Sequence, residues 1–164
     1  MIYLLDASVL ITAHNGYYAL NRVPEFWAWL IHHGEEGTLK LPADIYAEVE
    51  DGSDPLADWM ADANSKDALR LTEEPDPAHL QQVLLCYGDE LSEDDLITIG
   101  KDPFLIAAAL SDVNERVVVT AEVSKPTRVG PRRHIPNVCT DCGVQWITPI
   151  ELLAALNFTT GWNS

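Results

Sequence analysis

Positive charge is the scarcest ingredient of this chain. Ten lysines and arginines stand against 26 aspartates and glutamates over 164 residues, a formal net charge of −16. Such a balance repels nucleic acid at long range and excludes a general nucleic-acid coat protein. Long apolar runs are missing too: no stretch approaches the ~20 residues that a bilayer-crossing helix needs, and no basic segment leads into a signal-like core. The expectation is a cytoplasmic protein with no membrane partner. Cysteine is sparse, and Cys86, Cys139 and Cys142 cannot all pair within one chain. A domain of this length does not need disulfides, so reduced thiols are expected. Internal repeats, low-complexity tracts and linkers are absent, which leaves one domain.

What is present is an ordinary globular balance, 47% hydrophobic and 22% charged, far from the composition of a disordered chain. Ile2 to Leu5 reads as a short buried strand followed by a polar turn. "PEFWAWLIHHGEEG" reads as a helix, with Pro24 at its start and Gly34 or Gly37 as its stop. The apolar piece "TLKLP" leads into a helix "ADIYAEVED", and Asp54 and Pro55 begin another, "DPLADWMADA". "ALRLT" reads as a weak strand or extended link, and "PDPAHLQQVLLCYG" as a helix. Ser92 with Asp95 forms a capping-box pattern, and Asp102 with Pro103 reads as cap and first residue of "DPFLIAAALSD". "RVVVT" is the clearest strand, β-branched and apolar. A basic loop, a short strand "VQWIT", a last helix "PIELLAALN" and a frayed tail at 157–164 complete the chain. Short apolar strands alternating with helices imply an α/β fold with a parallel sheet covered on both faces. The helical stretch from about 42 to 114 exceeds one crossover and predicts a helical arm packed on the sheet.

Two smaller features carry chemistry of their own. "CTDC" at 139 to 142, with His134 nearby, has a redox or zinc spacing, though a single such pair is weak evidence of either. Lys125, Arg128, Arg132 and Arg133 cluster in "KPTRVGPRRH". They are candidate phosphate contacts inside an acidic molecule, or simply a solvated loop that balances its surroundings. The acidic surplus itself fits a salty cytoplasm or a basic protein partner.

Asp6 interrupts an apolar run, and a carboxylate buried without a partner costs several kcal/mol. Ligands of open α/β sheets collect outside the carboxyl ends of the strands, where Asp6 ends the first strand and Glu122 follows "RVVVT". If the two strands are neighbours, both acids open onto one crevice. With Ile45 and Val49 buried, Glu48 borders the inner face of its helix at about 60° from Ile45, while Glu50 points nearly opposite. Asp102 shares a face with Leu105, Ile106 and Ala109. Four converging carboxylates raise one another's pKa unless a cation intervenes, and oxygen-only ligation suits Mg²⁺ or Mn²⁺. Such a centre activates water and stabilises the charge of a phosphodiester under in-line attack. Ser8 and Thr120, each two residues from a key acid, are placed to orient a carboxylate or a water. Plainer explanations exist for each: Asp102 as a helix cap, Glu48 as a solvated helix acid, Glu122 as a loop residue.

"YLLDASVLI", "IYAEV", "KDPFLIAAAL" and "VVVTAE" resemble, in order, the acidic motifs of PIN-domain ribonucleases over about residues 1 to 156. The resemblance implies an α/β/α sandwich and Mg²⁺- or Mn²⁺-dependent endonuclease activity on RNA. It gives metal-site roles to Asp6, Glu48, Asp102 and Glu122, with Ser8 and Thr120 as accessory polar positions. The "YY", "FWAWL" and "RRHIPNVC" stretches look similar to stand-alone proteins regarded as toxins of toxin-antitoxin modules, which implies an antitoxin partner. A homodimer is a further expectation, with "YYALNRVPEFWAW" offering a surface unless its aromatics are core. Glu122 departs from the Asp common at its position. Two rivals remain: a catalytically silent PIN-like binding module, and a phosphatase of the haloacid dehalogenase type. The latter needs a second Asp two residues after the first, where this chain has Ser8.

Overall fold

The apolar tetrapeptides read as strands lie side by side at the centre of the molecule. A computed structural model describes all 164 residues. Strands β1 (Ile2–Leu5), β2 (Leu39–Pro42), β3 (Arg70–Leu71), β4 (Arg116–Val119) and β5 (Trp146–Ile147) form one sheet in the order β3-β2-β1-β4-β5. Every pairing is parallel, including β1 with β4, where Leu5 stands opposite Val119. Ten helices cover the sheet: α1 (Ala7–Asn15), α2 (Pro24–Glu35), α3 (Ala43–Glu50), α4 (Pro55–Ala61), α5 (Ala63–Leu69), α6 (Pro77–Tyr87), α7 (Glu93–Ile99), α8 (Asp102–Leu110), α9 (Ile135–Cys142) and α10 (Pro149–Ala155). The result is a three-layer α/β/α sandwich. The two central strands, β1 (IYLL) and β4 (RVVV), are covered on both faces and carry apolar runs without alternation, whereas β2 keeps Lys40 between two buried leucines.

Strand order runs outward from β1 to β2 and β3, then returns to β4 and β5 on the other side. The reversal between β1 and β4 creates a crevice at their carboxyl ends, the place where such sheets bind ligands. Helix α8 touches β1, β2 and β4, and α6 and α9 pack on it. Leu105, Ile106, Ala107 and Ala109 of α8 are buried, as are Val118 and Val119 of β4.

Several boundaries differ from the sequence expectation. Gly34 does not stop α2. It is buried within that helix, where a Cβ would lie 2.7 Å from the carbonyl oxygen of Ala68, so its missing side chain lets α5 approach closely. Helix α5 reaches only into the start of "ALRLT", at Ala68 and Leu69, because Asp62 accepts from the amides of Asn64 and Ser65 and starts a helix there; Arg70 and Leu71 form β3, the weak strand read from the sequence. Helix α1 replaces the polar turn after β1, and α9 replaces the end of the basic loop. Phe26, Trp27 and Trp29 are core residues, so of the aromatic stretch offered as a dimer surface it is Tyr17, 94% exposed, that faces solvent.

The tail expected to fray is docked. The Phe158 ring lies 5.1 Å from Trp29 and 5.7 Å from Phe26, and Trp162 donates its indole N–H to the Glu25 carbonyl at 2.9 Å. Phe158→Ala should therefore cost about 1–3 kcal/mol in urea unfolding, whereas a frayed tail would leave the midpoint unmoved.

Candidate acidic centre

Asp6 ends β1 and precedes α1, and its side chain is 5% exposed. The backbone there is extended, as at a helix cap, yet the carboxylate makes no capping bond. Its Oδ2 instead accepts from the Ser8 hydroxyl and, at 3.1 Å, from the Thr120 hydroxyl. Ser8 Oγ in turn accepts the Ala121 amide at 3.1 Å, and Thr120 Oγ1 accepts the Glu122 amide at 3.1 Å. The two polar residues thus bolt the end of β1 to the loop after β4, the orienting role expected of them. Burial pushes the Asp6 carboxyl above its usual range, and the Ser8 and Thr120 hydroxyls offset part of that rise.

Asp102 is the first residue of α8. Lys101 holds the cap position and no side chain caps the helix, so the reading of Asp102 as a cap gives way to that of a carboxylate aimed elsewhere. Burial pushes it up to about 8, and the charges of Asp6, Glu122 and Glu48 push in the same direction. That list of charges names the other three expected acids. Glu48 stands at the solvent-exposed rim on α3. Its pKa is raised by partial desolvation and by Asp6, and lowered by Lys101. Glu122 is anchored through Oε2, which accepts the Ile135 amide at 2.8 Å at the start of α9, with His134 Nδ1 4.0 Å away. The four acids therefore reach one crevice from β1, α3, α8 and the loop after β4.

No three of these carboxylates bring oxygens within 4.8 Å of one another; the triplet that does is His32, His33 and Glu36 at the far end of α2. In this arrangement no more than two of the acids could ligate one ion directly, so a bound cation would have to be one that keeps most of its water shell, as Mg²⁺ does. The donor chemistry fits the same class: hard carboxylate oxygens, unneutralised by any lysine or arginine between Asp6 and Glu122. The nearest cation, Lys101, lies to one side, 3.9 Å from Asp44 and 5.2 Å from the Phe104 ring centre.

Sequence reasoning missed two neighbours. Tyr87, 3% exposed at the end of α6, has a buried hydroxyl with no partner, and its pKa is raised by burial and by the Asp102 charge. Lys101 modulates Glu48. Tyr87 sits where a core residue is expected in "VLLCYG", and its orphan hydroxyl has no signature in the sequence. Lys101, one residue before a named acid, was in plain view.

The basic cluster divides. Arg133 pairs with Asp141 at 2.6 Å and donates to the carbonyls of Cys86 and Asn137 at 2.7 and 3.4 Å, so it serves the fold. Lys125, Arg128 and Arg132 are exposed.

Fold and site define an α/β/α protein with an acidic crevice at the switch point of its parallel sheet. The family model described as "Domain of unknown function (DUF4411)" matches residues 3–160, and the chain belongs to that family. No curated protein matches it.

Asp102 generates a stability prediction. Its folded pKa, about 8, lies above the ordinary 3.8, so the folded state binds the proton more tightly than the unfolded one. The stability it contributes is complete below pH 4 and is lost as pH rises towards 8. In the presence of chelator at pH 8, Asp102→Asn should raise stability by about 1–3 kcal/mol. Added Mn²⁺ should stabilise the wild type more than the variant. Thermal unfolding across pH 4 to 9 measures both effects, and equal curves for the two proteins would remove Asp102 from the centre.

Proposed function

We propose that the chain is a Mg²⁺- or Mn²⁺-dependent endoribonuclease of the PIN type, working in the crevice between β1 and β4. The observation that carries this reading is Asp102: a half-buried carboxylate whose proton affinity is raised first by desolvation and then by the charges of Asp6, Glu122 and Glu48. Acids placed together at such cost without a binding role are hard to account for, since buried like charges destabilise a fold. A bound divalent cation would supply charge neutralisation and activation of water for in-line attack on a phosphodiester.

The protein's own residues prepare that chemistry. Ser8 and Thr120 fix the orientation of Asp6 through its Oδ2. The Ile135 amide holds one oxygen of Glu122 and so limits the reach of the longer side chain. Asp102 and Glu48 complete the set, Glu48 from the rim where substrate enters. Lys125, Arg128 and Arg132 are the exposed cations available to a phosphate backbone. Cleavage in the manner of the PIN family leaves a 5′-phosphate and a 3′-hydroxyl.

A role as the toxin of a type II toxin-antitoxin module extends this reading, and implies an antitoxin as partner. An apolar groove of about 560 Å³ adjoins Glu122, with Ala13, Tyr17, Trp146 and Ile150 among its walls, and gives a partner segment a surface beside the acids. Self-association into a homodimer is a separate expectation for the intact chain. The rival phosphatase reading is disfavoured by Ser8, whose hydroxyl is committed to Asp6 and Ala121 where an acid-base carboxyl would be required. A silent binding module predicts no change of activity on losing an acid.

Purified chain should cleave single-stranded RNA with Mn²⁺ and lose cleavage on chelation, and Asp102→Asn or Asp6→Asn should lower the rate by a factor of about 100 or more. Gel analysis with end-group mapping reads this out. Cleavage that survives chelation would overturn the metal mechanism, and folded wild type inert on RNA with Mn²⁺ would favour the binding module. Among the basic residues, Lys125→Ala, Arg128→Ala and Arg132→Ala should raise KM and flatten the salt dependence of RNA binding. Arg133→Ala should instead lower the thermal midpoint.

A further inference from the structure

The "CTDC" spacing singled out Cys139 and Cys142 with His134, but the three do not form a ligand cluster. Cys139 is fully buried in the core and His134 Nδ1 lies 2.9 Å from the Val123 carbonyl. Cys142, at the last turn of α9, meets a different thiol: its Sγ lies 2.9 Å from Sγ of Cys86 at the end of α6. We propose that Cys86 and Cys142 are a covalent modification site, forming a reversible intramolecular disulfide between α6 and α9 when a peroxide is present.

The two cysteines are 56 positions apart, so the fold alone brings them together. Both are free and half-buried. A disulfide needs its sulfurs at about 2.05 Å, and the remaining approach of roughly 0.9 Å is within the reach of small side-chain rotations. The junction is already fastened, because Arg133 grips the Cys86 carbonyl on one side and Asp141, the neighbour of Cys142, on the other. Cys86 also borders a shallow depression of about 430 Å³, which Arg128 and Arg133 share. Solvent-borne peroxide therefore reaches Cys86 through this depression.

The chemistry balances with peroxide as the oxidant. The Cys86 thiolate attacks one peroxide oxygen, the O–O bond breaks, and sulfenic acid and hydroxide form. The Cys142 sulfur then attacks the Cys86 sulfur, its proton and the sulfenic hydroxyl leave as water, and the S–S bond closes. In sum, two thiols and one hydrogen peroxide give one disulfide and two waters. Cys142 is placed for the second step by contact and not by acidity: burial and the adjacent Cys86 push its thiol up to about 12, but its sulfur already lies 2.9 Å from the sulfur it attacks. The site stands apart from the acidic crevice in its chemistry, although α6 carries Tyr87 and the first amide of α9 holds Glu122.

The test is peptide mapping of the full-length reduced chain before and after hydrogen peroxide. The expected product is a monomer lighter by about 2 Da with residues 86 and 142 in one cross-linked peptide and Cys139 still alkylatable. Dithiothreitol should restore all three thiols. Cys86→Ser and Cys142→Ser should each abolish the mass loss, and Cys139→Ser should retain it. The map of the wild type is decisive even if a variant folds poorly. A bridge between Cys139 and Cys142, a link between two chains, sulfinic acids without pairing, or thiols left intact would each overturn the assignment.

Discussion

Negative charge gathered against a low-dielectric wall is the constraint from which the rest of this structure follows. Asp6 is nearly sealed from solvent at the end of β1, and Asp102 sits opposite it on α8. Neither carboxylate performs the capping task that its position at a helix start would allow. Both helices nevertheless present their N-terminal ends to the acids, and the partial positive charge there offsets some of the repulsion. What remains is relieved in part by the hydroxyls of Ser8 and Thr120, and the rest holds the Asp102 carboxyl above its ordinary range. A protein under selection for stability alone would replace these groups with apolar ones at little loss.

The sheet topology makes the gathering possible. Because β1 and β4 are parallel neighbours in register, the residues that follow each strand leave the sheet at the same level and the same edge. The bonds from Ser8 Oγ to the Ala121 amide and from Thr120 Oγ1 to Asp6 then lock those two exits together. Glu48 and Asp102 arrive from helices that pack against each other, α3 and α8. Each acid is placed by a different pair of contacts, so the crevice is set by the whole core and not by any one loop.

Much of this was legible in the chain. Short β-branched or leucine-rich runs bounded by turn residues gave β1, β2 and β4, and Pro in the first turn marked α2, α4 and α8. The helical face defined by Ile45 and Val49 placed Glu48 towards Asp6, although the side chain stays solvent-exposed at the rim. Helices α1 and α9 were missed for different reasons. Val9, Ile11 and Thr12 are β-branched, so their local preference spoke for extended backbone and tertiary burial of Val9 and Leu10 overrode it. In α9 the pattern was present: Ile135, Val138, Cys139 and Cys142 recur at helical spacing, but Pro136, Asn137 and Asp141 read as loop residues. The docked tail was invisible because nothing in "FTTGWNS" shows that Phe158 finds Trp29 across the molecule.

The difference between what was read and what was missed has a physical basis that bears on function. Charges at strand ends announce themselves, since burial of a carboxylate is costly enough to demand a reason. Neutral groups do not. The orphan hydroxyl of Tyr87 and the contact between Cys86 and Cys142 depend on how α6 lies across α8 and α9, a matter of packing between residues distant in sequence. Yet α6 connects them: Cys86 and Tyr87 are adjacent at its end, one facing α9 and the other facing Asp102. The thiol junction and the acidic crevice therefore share the end of α6 as a wall. Whatever fixes the end of α6 also fixes the position of the Tyr87 ring beside Asp102.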